Sequence, residues 1–313
     1  MPLRPALKYG LRSSWMVVTK IKKQGAERQM KVFSRLTAIA VTAGALIASA
    51  GVALAGLGQP SPWEMDLQDS ASPVMAEVAS FHYFLLWVIA AISLFVLVLL
   101  GIIVVRFNAR ANPTPSRTTH NTPIEIAWTI LPVIILAVIA VPSFRLLFTE
   151  LDVPTPDVTI KATGKQWFWS YSYPDNGNFE FDSLMVAEKD LKPGQPRLLT
   201  ADNEMVVPVN KVVHVLVTGA DVIHSFTVPS FGIRIDAVPG RINETWFKAT
   251  TEGMFYGQCS ELCGKDHSFM PIAVRVVKDS DFTAWVSDAK KKYAADDSVP
   301  PNTFAAAGEP SPR

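Results

Sequence analysis

The sequence predicts a two-helix transmembrane hairpin followed by a polar, all-β domain built as a sandwich or barrel. Three observations carry this expectation. Residues 83–105 and 126–144 are long apolar runs without a charged residue, whereas the chain beyond residue 150 breaks into short alternating segments bounded by turn formers. Charge is divided in the same way: residues 1–148 hold 13 Lys/Arg and 6 Asp/Glu, residues 149–285 hold 12 and 18, and residues 286–313 hold 4 of each. Apolar residues make up 49% and charged residues 18% of the 313, below the roughly 25% usual in soluble chains, with mean hydropathy +0.22. Such a composition excludes disordered, collagenous and nucleic-acid-binding chains.

The elements follow in order. Residues 1–55 read as an N-terminal extension and a cleaved signal peptide. Lys31 and Arg35 precede a small-residue apolar run that ends in Ala53-Leu54-Ala55, a signal-peptidase pattern, and Met30 is an alternative start. Residues 56–80 form a short external segment. At 1.5 Å per residue, helices over 83–105 and 126–147 are long enough for a hydrocarbon core of about 30 Å, which places a hairpin at 81–148. Its loop carries Arg106, Arg110 and Arg117 with no acid before Glu125, so the loop is expected in the cytoplasm and the β domain outside, in the periplasm of a bacterial inner membrane.

Residues 149–285 contain DVTIKAT, QWFWSYSY, KVVHVLVTG, INETWFKAT and PIAVRVVK, separated by turns such as Pro174-Asp175-Asn176-Gly177, a strand spacing expected of a compact β fold. Residues 281–293 have amphipathic helical spacing. The proline-bearing tail after Ala294 is expected to be disordered.

Chemistry concentrates at Cys259-Ser-Glu-Leu-Cys263-Gly-Lys-Asp-His267-Ser-Phe-Met270, with His224 upstream. Thiolate, thioether and imidazole donors together select copper over hard cations. Two thiolates four positions apart can each bridge a pair of copper ions, with one His and one weaker ligand completing each metal. A small disulfide with Met270 as core filler, and a tetrahedral zinc site from Cys259, Cys263, His267 and His224, are the alternatives. His214, opposite Val213, Val215 and Val217, reads as a solvated strand residue and not a ligand. A membrane-anchored binding module with one disulfide is the competing function.

The blocks NTPIEIAWTILP, GKQWFWSY, DVIHSFTVPSFGIRIDAVPGR and YGQCSELCGKDHSFMP, spread over residues 80–287, resemble subunit II of the haem–copper cytochrome c oxidases, of the alphaproteobacterial and mitochondrial type. This resemblance implies a cupredoxin-like Greek-key β-barrel behind the hairpin. It also implies a dinuclear copper A centre that takes electrons from cytochrome c and passes them to haem a of subunit I, where dioxygen is reduced and the haem resides. Carried over position by position, Cys259 and Cys263 become bridging thiolates and His224 and His267 terminal imidazoles. Met270 becomes one weak ligand and the Glu261 carbonyl the other, with the Glu261 carboxylate on a magnesium ion shared with subunit I. Trp167 becomes the point of electron arrival, and Trp169 an ordinary strand aromatic. Glu125 becomes the mouth of a proton channel shared with subunit I. Asp202 and Asp221, with their neighbours Glu204 and Asp175, become the donor-docking acids. The implied partners are subunits I and III, cytochrome c and membrane lipid. Lys165, where the family often has His, and Ser172, where it often has Glu, make the docking face less acidic. No CxxCH haem-attachment motif occurs, so the donor is a separate protein.

Overall fold

The computed structural model describes residues 58–114 and 116–293. The expected signal peptide and the expected disordered tail lie outside the described residues. Helix α1 (Pro73–Arg106) starts where the Ser72 hydroxyl accepts the Met75 N–H at 2.9 Å and Pro73 supplies a preset first turn. Helix α2 (Thr122–Leu151) starts with reciprocal capping: Asn121 Oδ1 accepts from Ile124 N, and Glu125 Oε1 accepts from Asn121 N at 3.2 Å. Both helices outrun their uncharged stretches. The added first turns of α1 bury Val74 and Met75 against the β domain, so helix here is dictated by packing that no apolar run announces.

The β domain contains ten strands. One sheet has the order β3 (Phe179–Ser183), β2 (Phe168–Tyr173), β1 (Val158–Lys165), β5 (Val212–Gly219), β8 (Asn243–Lys248). A second has β4 (Met205–Pro208), β10 (Pro271–Val277) and β9 (Gly253–Gln258), and β6 (His224–Val228) pairs with β7 (Ile233–Ala237). The chain leaves the first sheet after β3, lays down β4 in the second and returns for β5. That return makes β1 and β5 parallel neighbours, and β4 and β10 likewise, a crossing pattern that hairpins alone cannot produce. Strands β1 and β5 alternate strictly, with Val158, Ile160, Ala162, Val213, Val215 and Val217 buried. Burying each Val or Ile contributes about 1.5–3 kcal/mol. Strand β2 departs from alternation because Ser170 and Ser172 are buried as well as Trp169, Tyr171 and Tyr173. Helix α3 (Asp279–Lys292) lays Phe282, Val286 and Ala289 on the core, with Asp279 and Asp281 in its first turn and Lys290–Lys292 in its last, matching the helix dipole.

A strap ahead of α1 is bound to the same domain. The Ala71 N–H donates to the Ser230 carbonyl, its own carbonyl accepts from Thr250 N–H, and the Ser72 hydroxyl donates to the Phe231 carbonyl. Strands β6 and β9 approach closely only because position 257 is glycine: a Cβ there would stand 1.8 Å from the Thr227 carbonyl oxygen. Backbone cannot yield as a flexible side chain does, so Gly257→Ala is expected to cost at least about 3 kcal/mol. Urea unfolding of the β domain measures it, and an unchanged midpoint would refute the close-contact argument.

Candidate metal centre

Strands β9 and β10 pair as an antiparallel hairpin with Gln258 opposite Pro271, so residues 259–270 form its wide end loop with both ends pinned. Strand β6 lies beside it, and the Ser260 N–H donates to the Ser225 carbonyl, which brings His224 at the head of β6 to the loop. All six predicted metal ligands meet there. The Cys259 and Cys263 sulfurs are 3.9 Å apart, and both cysteines are free and buried. His224 Nδ1 lies 3.9 Å from the Cys259 sulfur, and His267 Nδ1 lies 3.5 Å from that of Cys263. The Glu261 carbonyl is 3.3 Å from the Cys259 sulfur, and the Met270 sulfur is 3.5 Å from that of Cys263.

The donors therefore fall into two halves, each with a thiol, an imidazole and a weak donor. His224, Cys259 and Cys263 bring ligand atoms within 4.8 Å of one another, while His267 approaches from the Cys263 side. A single tetrahedral ion would want all four strong donors on one point, whereas two halves joined by two sulfurs suit a thiolate-bridged pair of soft ions.

Charge is prearranged around the sulfurs. Burial pushes the Cys259 thiol up, but hydrogen bonding with His224, the backbone at Ser225 and Glu261, and Cys263 outweighs it and brings the group down to about 7. Burial, followed by the charge of Cys259, pushes Cys263 up to about 12. For His224, burial works against the imidazolium, yet Cys259 and Asp221 together raise its pKa.

Asp221 supports His224. Its Oδ1 is 2.9 Å from His224 Nε2 and accepts from Val222 N, while its Oδ2 accepts from Gln166 N at 2.7 Å. A carboxylate on the outer nitrogen turns the inner nitrogen of the ring toward the sulfurs, and loss of such a partner weakens metal affinity about 10–100-fold. That loss is the expected result for Asp221→Ala, measured by competition with a chelator; unaltered affinity would leave Asp221 as surface charge.

Trp167 is half-buried, and its indole N–H donates to the Cys263 carbonyl at 3.2 Å. Lys265 Nζ stands 5.6 Å from the Trp167 ring centre. Trp169 is fully buried and meets His224 edge-on, with centroids 6.1 Å apart. Residue-type reasoning missed Gln166, whose side-chain amide donates to the same Cys263 carbonyl at 2.9 Å, and Gly164, where a Cβ would come within 2.8 Å of the His224 ring. Both stand beside Trp167 in the GKQWFWSY block, which was the available signal.

The other expected acids are scattered. Asp202 is exposed and accepts from Leu184 N, and Glu204 pairs with Arg275 at 2.8 Å. Asp175 accepts from Thr159 N, five residues and about 16 Å along β1 from the end that touches His224. His214 bonds Glu244 at 2.9 Å on the sheet surface, away from the metal loop. Glu125 stands at the α2 cap, far along the chain from the loop.

The sequence profile described as "Cytochrome C oxidase subunit II, periplasmic domain" matches residues 158–277, and that of the "transmembrane domain" of the same subunit matches residues 60–146. A Rickettsia felis protein named "Probable cytochrome c oxidase subunit 2" is 54% identical over 233 residues, 74% of either chain. The "Cytochrome c oxidase subunit 2" of Cereibacter sphaeroides is 44% identical over 284 residues, 83% of this chain and 93% of that one. Among solved structures, the periplasmic domain of cytochrome oxidase subunit II from Bradyrhizobium japonicum is 71% identical, covering 45% of this chain and 99% of that one, with a TM-score of 0.43. With both the apolar hairpin and the metal-loop domain matched by profile, and relatives aligned across the junction between them, the chain belongs to the cytochrome c oxidase subunit II family.

Proposed function

We propose that this chain is the electron-accepting subunit of a proton-pumping, cytochrome-c-dependent oxidase of a bacterial inner membrane, with its β domain in the periplasm. The observation that carries the reading is the pair of buried, unbonded thiols 3.9 Å apart, each with its own imidazole and weak donor. Cys259, Cys263, His224, His267, Met270 and the Glu261 carbonyl would hold two copper ions. Bound there, two copper ions would supply one-electron storage with little change of shape between redox states.

The chain's own part is to hold that donor set rigid and dry. Asp221 fixes the His224 ring, and the pinned ends of the β9–β10 loop keep both sulfurs in place. His224, Cys259, Cys263 and Met270 are each at most 5% exposed, which keeps water from competing for the ligands. Trp167 offers the donor an indole bonded to the backbone of a ligand, and electrons leave toward haem a of subunit I. Glu261 is exposed, so its carboxylate is available to a magnesium ion shared with subunit I while its carbonyl faces Cys259. Glu125, at the start of α2, would stand at a proton-channel mouth. Asp202 is the more suitable docking acid, since Asp221 is committed to His224, Glu204 is paired with Arg275 and Asp175 lies at the far end of β1. Subunits I and III and membrane lipid would cover the apolar faces of α1 and α2.

Copper analysis with electron paramagnetic resonance tests the reading: two coppers per chain sharing one unpaired electron are expected. Zinc, or one copper, would overturn it. Glu261→Ala is expected to keep both coppers, because its copper contact is a backbone carbonyl, while abolishing the magnesium or manganese signal at the subunit I interface. Lost copper with that signal retained would reverse the assignment.

A further inference from the structure

The membrane hairpin holds a second concavity that electron transfer does not use. A cleft of about 390 Å³ opens between α1 and α2 near the β domain, within the ~300–1,000 Å³ range of small-ligand sites. On α1 it is lined by Glu77, Ser80 and Phe84, and on α2 by Thr149, Arg145 and Pro142. Phe81 and Leu146 complete the lining, so each wall presents one helix face at three- and four-residue spacing, mixes polar with apolar groups, and ends on an apolar residue at its membrane end. Glu77, Ser80, Arg145 and Thr149 lie just outside the uncharged runs, and Phe84 and Pro142 just inside them. The cleft therefore straddles the level at which lipid head groups give way to hydrocarbon.

We propose that this cleft binds the head group of one zwitterionic phospholipid bearing a primary amine. A guanidinium on one wall matches the phosphate diester, because its planar fork can donate two parallel hydrogen bonds. A carboxylate on the other wall matches the ammonium. Among the described residues Glu77 and Arg145 make no ion pair with each other or with any other side chain, so both charges are available to a ligand. Ser80 offers a hydroxyl at the same level, Thr149, whose hydroxyl donates to the Arg145 carbonyl at 3.1 Å, offers its oxygen as an acceptor, and the apolar floor of Phe84 and Pro142 accepts the first acyl carbons. That floor separates a lipid from free phosphate, and the carboxylate disfavours an anionic lipid without an amine.

Both walls are anchored before any ligand arrives. The Trp246 indole N–H donates to the Thr149 carbonyl at 3.1 Å, and α1 is tied down through Ser72 and the buried Val74 and Met75. A cleft held open by the β domain loses little freedom on binding, which favours one retained lipid over passing contact.

The test uses the assembled oxidase in nanodiscs with phosphatidylethanolamine carrying a photoactivatable group near the top of one acyl chain, and phosphatidylglycerol with the same tail. Peptides covering 77–84 and 142–149 are expected to label about tenfold more with the ethanolamine lipid. Inorganic phosphate should not compete. Arg145→Met and Glu77→Gln should each reduce labelling to the phosphatidylglycerol level, and Arg145→Lys should retain part of it, with assembly read from the haem spectrum. Equal labelling by both lipids would mean annular contact and overturn the proposal. So would competition by phosphate, labelling indifferent to the variants, or adducts joining these peptides to another subunit. The lipid comparison on the unmodified oxidase decides even if a variant fails to assemble.

Discussion

Cys259→Ser and Cys263→Ser are each expected to abolish the dinuclear centre, leaving one copper or none and removing the shared-electron spectrum. The hydroxyl is a harder, poorer donor for copper than a thiolate, and the change removes one of only two atoms able to join the halves. The two variants should differ in what remains. Cys259→Ser leaves Cys263 with His267 at 3.5 Å and Met270 at 3.5 Å, a Cys-His-Met set that can still hold one ion. Cys263→Ser leaves Cys259 with His224 at 3.9 Å and the Glu261 carbonyl at 3.3 Å, with no thioether, so it should retain less. Copper content and electron paramagnetic resonance of the purified protein give the answer. A mixed-valence spectrum surviving in either variant would exclude bridging by that sulfur. Met270→Leu is the contrast, since it removes a weak donor and keeps both bridges.

The parts of this architecture that show in the sequence are those with a repeating or clustered chemical signal. The uncharged runs mark α1 and α2, the strict valine alternation marks β5, and the Cys-Cys-His-Met loop marks the cluster of candidate metal ligands. What does not show depends on contacts between distant segments. The first turns of α1 are helical because Val74 and Met75 pack on the β domain and because Ser72, which caps them through the Met75 N–H, is itself held by the Phe231 carbonyl 159 positions away. Strand β2 hides its serines because both its faces are covered. Asp221 reads from sequence as one more surface acid, and only the fold shows that three residues bring its carboxylate to the outer nitrogen of His224. Gln166 gives no type-based signal at all, since an amide is as common on a turn as beside a ligand. The parallel pairing of β1 with β5 is likewise invisible, because alternation reports which face is buried and not which neighbour a strand takes.

Trp167→Ala is expected to slow oxidation of cytochrome c at least about 100-fold, equivalent to about 2.7 kcal/mol of added barrier, while copper content and spectrum stay intact. The structural rival is real: the half-buried indole packs against the core and donates to the Cys263 carbonyl, so its removal could loosen the metal loop instead. The two roles separate by readout. Gln166 donates to the same carbonyl at 2.9 Å and Gly264 turns at φ +127° beneath the indole, so the Cys263 carbonyl keeps one of its two hydrogen bonds when the ring is gone. Copper should therefore stay, and electron arrival should fail. Trp167→Phe refines the point, because it keeps a smaller aromatic ring and loses the N–H to the Cys263 carbonyl; a rate between those of the native protein and Trp167→Ala would assign part of the coupling to the aromatic contact that remains. Stopped-flow oxidation of cytochrome c beside copper analysis measures both quantities on one sample. Normal turnover in Trp167→Ala would return the residue to the core, and copper loss in step with the rate would make it a clamp on the loop.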